Sequence, residues 1–351
     1  LTQWIGGLGI VFFTIAILPI FTSGGVQLFS AESTGVIHNR THPKINVMAK
    51  WLWAVYLILT LLETILLMFG GMNLFDAICH SFTTTATGGY STKQASISYW
   101  NSPFIEYVVS VFMLLSSMNF ALFLMCLKGK VGKIFKDEEV RWFLGSVAIL
   151  TGMITIALVF HNHYDWELAF RKSLFQVTTV HTSCGFATDD YNLWPPFTWL
   201  LLFIAMLSGG CTGSTSGGIK NMRLLIVARA IRNEFKHLLH PNAVLPVRVN
   251  QRTVSSSIVS TVVIFIVFYF IIILTGWTIL LFLGVGFTES VSTVISSIGN
   301  VGPGLGAFGP AYSWNALPDA AKWVLSFLML IGRLELFSVL LLFYPNFWKK
   351  Q

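Results

Sequence analysis

Three short stretches of the chain repeat one pattern: a small polar residue, one further residue, a glycine, and then an aromatic residue or proline. Because glycine has no Cβ atom, the backbone there can adopt conformations that other residues avoid and can turn its carbonyl oxygens to one side. Side-chain oxygens of the small polar residues would add to that surface. The aligned triplets are Thr87-Gly88-Gly89, Ser183-Cys184-Gly185 and Asn300-Val301-Gly302, within 84–92, 180–188 and 298–304.

Neutral oxygen ligands of this kind suit a monovalent cation. A ring of backbone carbonyls can replace the water shell of a bare ion, and many weak neutral oxygens favour potassium, which sheds its water more easily than sodium does. Divalent ions prefer carboxylates, and none of the three stretches contains Asp or Glu. The residue types therefore predict a potassium filter and argue against a calcium or magnesium pore.

A second candidate region is 208–218, where glycines and small hydroxyl residues interrupt an apolar run. Broken helices mark the transport path in many carriers, and a segment without bulky side chains can move aside at low cost. We expect this segment to be a flexible gate below the filter, coupled to a cytosolic partner through 220–250. Its glycines are Gly209, Gly210, Gly213, Gly217 and Gly218.

Arg333 lies near the centre of the last apolar run. Insertion scales put an arginine there at about 2.5–3.5 kcal/mol unfavourable, so its side chain is expected to face water or a partner. We predict that Arg333 projects into the pore below the filter, as an electrostatic barrier and a hydrogen-bond anchor for the gate. Glu63 and Glu335 are expected to form hydrogen bonds with neighbouring helices.

Composition places the chain in a bilayer. Charged residues make up 11% of the 351 residues, hydrophobic residues make up 54%, and the mean hydropathy is +0.71. Soluble domains contain roughly 25% charged residues. No nucleophile–base pair and no metal-ligand spacing stands out, which predicts a protein that is not an enzyme and binds no cofactor. The four cysteines are expected to be buried free thiols.

Apolar runs and shorter segments alternate along the chain. Runs long enough to span a bilayer have about 20 residues, and each short segment leads directly into one of the glycine stretches. The order of long helix, half-helix, glycine stretch and second long helix therefore occurs three times. The long runs are 4–21, 51–70, 104–127, 140–160, 197–208 continuing as 219–231, 254–283 and 321–344, and the short segments are 73–84, 166–180 and 288–297.

This order predicts an all-α integral membrane fold built from repeats. The run 4–21 fits the second helix of a first repeat whose outer helix and filter strand would precede Leu1. The predicted units are 1–48 for that helix and a cytoplasmic loop, 49–138 for repeat 2, 139–252 for repeat 3 with the gate, and 253–351 for repeat 4.

The basic residues predict the orientation. Most of the 22 Lys and Arg residues lie in 30–50, 128–141, 219–252 and 349–350. Basic loops stay on the cytoplasmic side, so the three glycine stretches should open outward. Because these residues are spread over separate loops, they indicate membrane topology and membrane lipid as the surroundings. A nucleic-acid partner is not expected.

With these glycine triplets, the interrupted segment 208–218 and Arg333 in this order, the chain resembles the Trk/Ktr/Hkt superfamily of potassium transporters, and most closely its TrkH-type membrane subunits. The resemblance implies pseudo-fourfold helix–pore loop–helix repeats around a central pore, with Gly89, Gly185 and Gly302 as filter glycines. It also implies a homodimer, a cytosolic RCK-type nucleotide-binding regulatory subunit and a multi-pass protein of a bacterial inner membrane. The matching segments are QWIGGLG at 3–9, TATGGYST at 85–92, SGGCTGSTSGGIK at 208–220, NVGPGLG at 300–306 and GRLE at 332–335.

The function predicted on these grounds is gated potassium passage through a filter of backbone carbonyls. Two further transport readings stay open: the pore subunit of a potassium-pumping ATPase, and a sodium/potassium symporter of the same superfamily. In the plant-type relatives the filter residue of the first repeat bears on sodium against potassium preference, and that position is not in the sequence. A membrane-embedded enzyme is disfavoured because catalytic groups do not converge in any motif.

Overall fold

The computed structural model describes residues 1–9, 45–127, 129, 132–334 and 336–343. Within these residues the protein is almost wholly helical. The two strands, β1 (Arg248–Val249) and β2 (Arg252–Thr253), form one short antiparallel hairpin. The all-α prediction is therefore confirmed. The first helix, α1 (Thr2–Gly7), covers only the beginning of the predicted run 4–21, and most of that run lies outside the described residues.

Repeat 2 opens with a long apolar helix followed by a half-helix. The turn between them contains Gly71, whose φ of 98° ends the first helix, and Asn73, whose side chain accepts a hydrogen bond from the Asp76 amide and caps the second. Three further helices complete this part of the chain. The helices are α2 (Ile45–Phe69), α3 (Leu74–Thr85), α4 (Pro103–Ser116), α5 (Phe120–Leu127) and α6 (Gly132–Lys136).

Repeat 3 has the same order. Its outer helix is capped by the Asp137 side chain and ends at His163, which has a φ of 56°. A half-helix follows, and then two helices separated by the segment 209–220. The helices are α7 (Glu138–Asn162), α8 (Trp166–His181), α9 (Pro196–Ser208) and α10 (Asn221–Leu239), and the hairpin follows α10.

Repeat 4 repeats the order a third time. Its outer helix is capped by Ser255, and Gly284, with a φ of 83°, lies in the turn that follows it. The helices are α11 (Ser256–Phe282), α12 (Phe287–Gly299), α13 (Asp319–Arg333) and α14 (Leu336–Leu342). The predicted half-helices 73–84, 166–180 and 288–297 therefore correspond closely to α3, α8 and α12.

The three outer helices are long and apolar enough to cross a membrane. In the described residues these spans are Ala49–Phe69, Glu138–Asn162 and Ser256–Phe282. Each half-helix packs against the outer helix of its own repeat. The largest buried core joins repeats 3 and 4, with Phe143 and Leu202 among its fully buried members. The half-helices are thereby held at fixed positions inside the bundle.

Two predicted spanning helices are wrong as single helices. The run 104–127 is broken between α4 and α5, which meet at a bend of 98°, and the run 321–344 is broken between α13 and α14. At the first break the Ser117 carbonyl accepts a hydrogen bond from the Cys211 amide (2.9 Å), and the Phe120 amide donates to the Gly213 carbonyl (3.2 Å). Backbone groups released by the break are thus satisfied inside the protein.

A buried ion cluster ties repeat 2 to repeat 3 near their outer ends. The Glu106 carboxylate accepts hydrogen bonds from Arg171 Nη1 and from Lys172 Nζ, both at 2.8 Å. The Glu106 side chain is 1% exposed and the Arg171 side chain is 9% exposed. Lys172 Nζ also donates to the Thr188 carbonyl (2.9 Å). The cluster therefore links α4, α8 and the end of the second glycine stretch.

A second polar cluster holds the end of the first glycine stretch. Asp76, on the outer turn of α3, accepts hydrogen bonds from the Thr92 hydroxyl (2.5 Å) and the Asn73 amide group (2.9 Å). Lys93 Nζ lies 3.5 Å from the same carboxylate. The Thr92 hydrogen bond is the largest cause that lowers the pKa of Asp76, and the Lys93 charge lowers it further. The ionised carboxylate is thus the form that fixes the stretch.

We expect Glu106→Gln to destabilise the fold strongly, because it leaves two cationic side chains without their shared carboxylate. Breaking a buried ion pair costs about 3–5 kcal/mol, so the free energy of unfolding in detergent should fall by about 3 kcal/mol. Asp319→Asn is the matched control: it breaks the exposed Asp319–Lys322 pair, and such pairs contribute at most about 1 kcal/mol. Equal losses in the two variants would contradict this account of the cluster.

We expect acid to loosen the first glycine stretch. Because folding lowers the pKa of Asp76, its stabilising effect is fully present above the unfolded pKa of about 3.9. The effect is lost as the pH falls through the lower folded-state pKa. The rate of amide hydrogen exchange in residues 90–93, measured relative to the rate in α7, should rise at low pH in the native protein. In Asp76→Asn the exchange of 90–93 should already be faster at neutral pH and should respond less to acid.

Candidate ion pathway

The three glycine triplets share one backbone conformation. In each triplet the first residue lies in the left-handed region and the glycine two positions later also has a positive φ, a combination that only glycine adopts without strain at the second site. The φ values are 51° for Thr87, 54° for Ser183 and 53° for Asn300, and 65° for Gly89, 91° for Gly185 and 108° for Gly302. The alignment made on sequence thus corresponds to a structural repeat.

The triplets of the three repeats lie side by side. A Cβ atom added to Gly89 would overlap the Cys184 carbonyl oxygen, and one added to Gly185 would overlap the Val301 carbonyl oxygen. Backbone therefore meets backbone from repeat 2 to repeat 3 and from repeat 3 to repeat 4. A Cβ atom on Gly88 would overlap the amide group of Gln3 from α1. The structure brings the nine predicted filter residues together in this region.

Carbonyl oxygens of the triplets accept no hydrogen bonds from the described residues and are available to bind an ion. The first two amides of each triplet donate back to the preceding half-helix: for example, Gly88 N donates to the Thr83 carbonyl (2.7 Å) and Cys184 N to the Thr179 carbonyl (2.9 Å). In the part of the chain that the structure describes, no hydrogen bond is donated to the carbonyl oxygens of the six residues concerned. They are Thr87, Gly88, Ser183, Cys184, Asn300 and Val301.

Such carbonyls need a partner. Four of the six residues are at most 6% exposed, and Gly88 and Asn300 are half-buried. A backbone carbonyl buried without a hydrogen bond is costly. The three half-helices also end at these triplets, and the C-terminus of a helix carries about half a negative charge. Oxygen lone pairs and helix ends together make the region attractive to a cation. The described residues contain no metal-binding group of three or more His, Cys, Asp or Glu side chains.

The predicted gate lies against the ends of all three half-helices. The Gly217 amide donates to the Ser183 hydroxyl (2.6 Å), and the Thr215 hydroxyl donates to the Thr85 carbonyl (3.1 Å). A Cβ atom on Gly217 would overlap the Gly299 carbonyl oxygen. One short segment between α9 and α10 therefore contacts repeats 2, 3 and 4 at the base of the triplets.

The glycines of this segment allow close packing. Gly209 and Gly218 have φ values of 69° and 79°, and a Cβ atom on Gly209 would overlap the Gly217 carbonyl oxygen. Cβ atoms on Gly210 and Gly213 would come within about 3 Å of neighbouring oxygens. The sequence predicts that this segment is flexible and moves aside because it lacks bulky side chains. In this conformation the same residues let the segment fold tightly upon itself.

Arg333 joins this segment to the first helix. Its Nη1 atom donates to the Thr215 carbonyl (3.2 Å) and its Nη2 atom donates to the Gly6 carbonyl (2.9 Å). Gly332, the preceding residue, packs so closely that a Cβ atom would overlap the Ile298 carbonyl oxygen. The end of α13 is therefore fitted against the base of the third triplet, and the guanidinium group reaches across the segment.

Other predicted groups have different surroundings. Glu63 is fully buried on α2, and neither carboxyl oxygen has a hydrogen-bond partner in the described residues. Thr84 lies nearby but donates to the His80 carbonyl (2.8 Å). The expected hydrogen bonds of Glu63 to neighbouring helices are therefore not found, and Glu335 lies outside the described residues. Cys184 and Cys211 are buried free thiols, whereas Cys79 and Cys126 are half-buried.

The sequence did not predict the residues that bind the segment 208–218 on the side away from the triplets. Ser117 and Asn119 lie in the break between α4 and α5, where the Ser117 carbonyl binds the Cys211 amide and Asn119 packs on Gly213. Glu139 binds Thr212 through both of its carboxylate oxygens. The available signals were the polar residues Ser116, Ser117 and Asn119 inside an apolar run and an acidic pair beside a basic loop.

Comparisons with known proteins agree with one another. The family model TrkH, described as a cation transport protein, matches residues 1–350. The Trk system potassium uptake protein TrkH of Escherichia coli (strain K12) is 39% identical over 351 residues, covering 99% of this chain and 72% of that protein. The Trk system potassium uptake protein TrkG of the same strain is 36% identical over 356 residues, with the same two coverages.

A solved structure is also similar throughout. The crystal structure of the potassium transporter TrkH from Vibrio parahaemolyticus superposes with a TM-score of 0.85 at 34% sequence identity, covering 99% of this chain and 71% of that one. The family match extends over nearly the whole chain, and the relatives exceed 30% identity over nearly all of it. The chain therefore belongs to the TrkH family of cation transport proteins.

Proposed function

We propose that the protein passes potassium ions across the membrane through the glycine triplets. The observation that carries this proposal is the set of backbone carbonyls without hydrogen-bond partners where the three triplets meet. A dehydrated cation would supply the missing partner, and many neutral oxygens favour potassium over more strongly hydrated ions. The relatives named above are potassium uptake proteins, which supports the same ion here.

The segment 208–218 is proposed as the gate of this pathway. It contacts the base of all three triplets, and it uses the hydroxyl of Ser183, a triplet residue, as a hydrogen-bond acceptor. In this position the segment would obstruct an ion leaving the triplets towards the cytoplasm. Arg333 would add to the obstruction, because its guanidinium group is bonded to the segment and repels cations.

The setting of the proposed pathway follows from family membership. All of the relatives compared here are bacterial, which supports a multi-pass location in a bacterial inner membrane. The name "Trk system" indicates several components. We therefore also propose a homodimer and a cytosolic nucleotide-binding regulatory subunit for this chain. The part of α10 that lies on the predicted cytoplasmic side would be available to such a subunit.

The filter proposal is tested by Gly185→Ala. The new Cβ atom would overlap the Val301 carbonyl, and alanine at a φ of 91° adds backbone strain of about 1–3 kcal/mol. We expect ⁸⁶Rb⁺ uptake into proteoliposomes to fall about tenfold or more, and the preference for K⁺ over Na⁺ to weaken. The control is Gly152→Ala, since Gly152 has open space around its Cβ position. Unchanged uptake and selectivity in a folded Gly185→Ala protein would refute the filter proposal.

The gate proposal is tested by Arg333→Ala. This change removes the hydrogen bonds to the Thr215 and Gly6 carbonyls and a positive charge from the proposed path. A hydrogen bond to a charged group contributes about 1.5–3 kcal/mol, so we expect Rb⁺ uptake to rise about tenfold in a protein that still folds. Arg252→Ala, which removes an exposed arginine of the hairpin, should leave uptake unaltered. Identical uptake kinetics in the Arg333→Ala and native proteins would exclude the role proposed for Arg333.

A further inference from the structure

The Glu139 side chain binds the gate segment from outside it. Its Oε1 atom accepts hydrogen bonds from the Thr212 amide (2.6 Å) and the Met222 amide (3.1 Å), and its Oε2 atom accepts one from the Thr212 hydroxyl (2.9 Å). The residue is 2% exposed. A buried carboxylate is tolerated only with such partners, and bonds to an ionised acceptor are the stronger kind.

The three donors belong to two residues, one within the segment and one beyond it. Thr212 is within 208–218, and Met222 is in the first turn of α10, where helix amides lack partners of their own. A negative charge is also favourable at the N-terminus of a helix. The Glu139 carboxylate therefore joins Thr212 to the start of the following helix, and the residues between them form a closed loop.

Glu139 itself belongs to a fixed element. It is in the first turn of α7, the outer spanning helix of repeat 3, and the Asp137 carboxylate caps that turn by accepting hydrogen bonds from two amides. On the other side the segment is held by Ser183, Thr85 and Arg333. The segment is thus held between the base of the triplets and the carboxylate of α7.

We infer that Glu139 is the positioning residue that keeps the gate segment in its obstructing conformation. This inference rests on the function proposed above. For the segment to withdraw from the triplets, the Thr212 bonds to Glu139 have to break or α7 and α10 have to move with it. Loosening the Glu139 contacts consequently shifts the equilibrium towards the open pathway without changing the triplets.

The chain provides a matched control for Glu139. Glu138 is the adjacent acid in the same helical turn, and its carboxylate accepts hydrogen bonds from Arg229 Nη1 (2.9 Å) and the Asn250 amide (2.6 Å). These partners belong to α10 and the hairpin, and in the described residues Glu138 has no hydrogen bond to the gate segment. Loss of its charge tests the general effect of removing an acid from this turn.

The experiment compares Glu139→Gln, Glu138→Gln and the native full-length protein in proteoliposomes. We expect Glu139→Gln to raise basal ⁸⁶Rb⁺ uptake about tenfold, equivalent to about 1.4 kcal/mol, with an unaltered preference for K⁺ over Na⁺. The buried thiol Cys211 should also react faster with a membrane-permeant maleimide in this variant. The rate of labelling, measured by mass spectrometry, should rise to a similar degree. Glu138→Gln should stay within about twofold of the native protein in both measurements.

A second, milder variant tests the same contact in case Glu139→Gln does not fold. Thr212→Val removes one of the three bonds, keeps the shape of the side chain, and should raise uptake and Cys211 labelling in the same direction by a smaller factor. Native uptake in both Glu139→Gln and Thr212→Val, or an equal rise in Glu138→Gln, would overturn the inference. So would a rise in uptake that is accompanied by loss of selectivity, because the triplets would then be disturbed.

A variant that lacks 213–217 separates this inference from the proposed function. If this variant passes Rb⁺ rapidly while Glu139→Gln behaves as the native protein does, the segment is a gate and Glu139 does not hold it. If neither the native protein nor the shortened variant passes Rb⁺, the proposed function itself fails.

Discussion

Unpartnered backbone carbonyls are the constraint on which the rest of the structure depends. A membrane interior offers no water to satisfy them, so extended backbone persists there only when protein encloses it. In this chain three half-helices deliver three such stretches to one place, and their outer helices hold them there. Glycine is required at Gly89 and Gly185 because a neighbouring carbonyl occupies the space of any side chain, and at Gly302 because the backbone has a φ of 108°. The fold can therefore be understood as a scaffold that presents oxygen atoms.

The gate segment obeys the same constraint by a different route. It too is irregular backbone inside the bundle, yet its groups are satisfied by residues around it: Ser117 and Phe120 from repeat 2, Ser183 and Glu139 from repeat 3, and Arg333 from repeat 4. If the segment moves as proposed, each of these contacts has to be exchanged for another. The triplets, in contrast, have few protein partners to exchange. In the proposed function, the carbonyls of the triplets would select the ion and the separately bonded segment would gate its passage.

The sequence predicted the parts of this arrangement that depend on local pattern. The half-helices and triplets were identified because apolar length and glycine spacing are local properties, and the φ values of Thr87, Ser183 and Asn300 agree with the alignment. The break at 117–119 was missed because it is stabilised by distant residues of the gate segment. Glu139 illustrates the same limit: its sequence neighbours are charged and suggest an exposed helix start, but the fold buries it against the amides of Thr212 and Met222.

The central claim is that the triplet carbonyls bind a dehydrated monovalent cation. The most direct measurement is anomalous diffraction from crystals of the full-length protein grown with Rb⁺, compared with crystals grown with Na⁺ alone. The account predicts Rb⁺ peaks within bonding distance of carbonyl oxygens of all three triplets, near Gly89, Gly185 and Gly302. Crystals that contain Rb⁺ but show no peak at the triplets, or peaks only elsewhere, would contradict it.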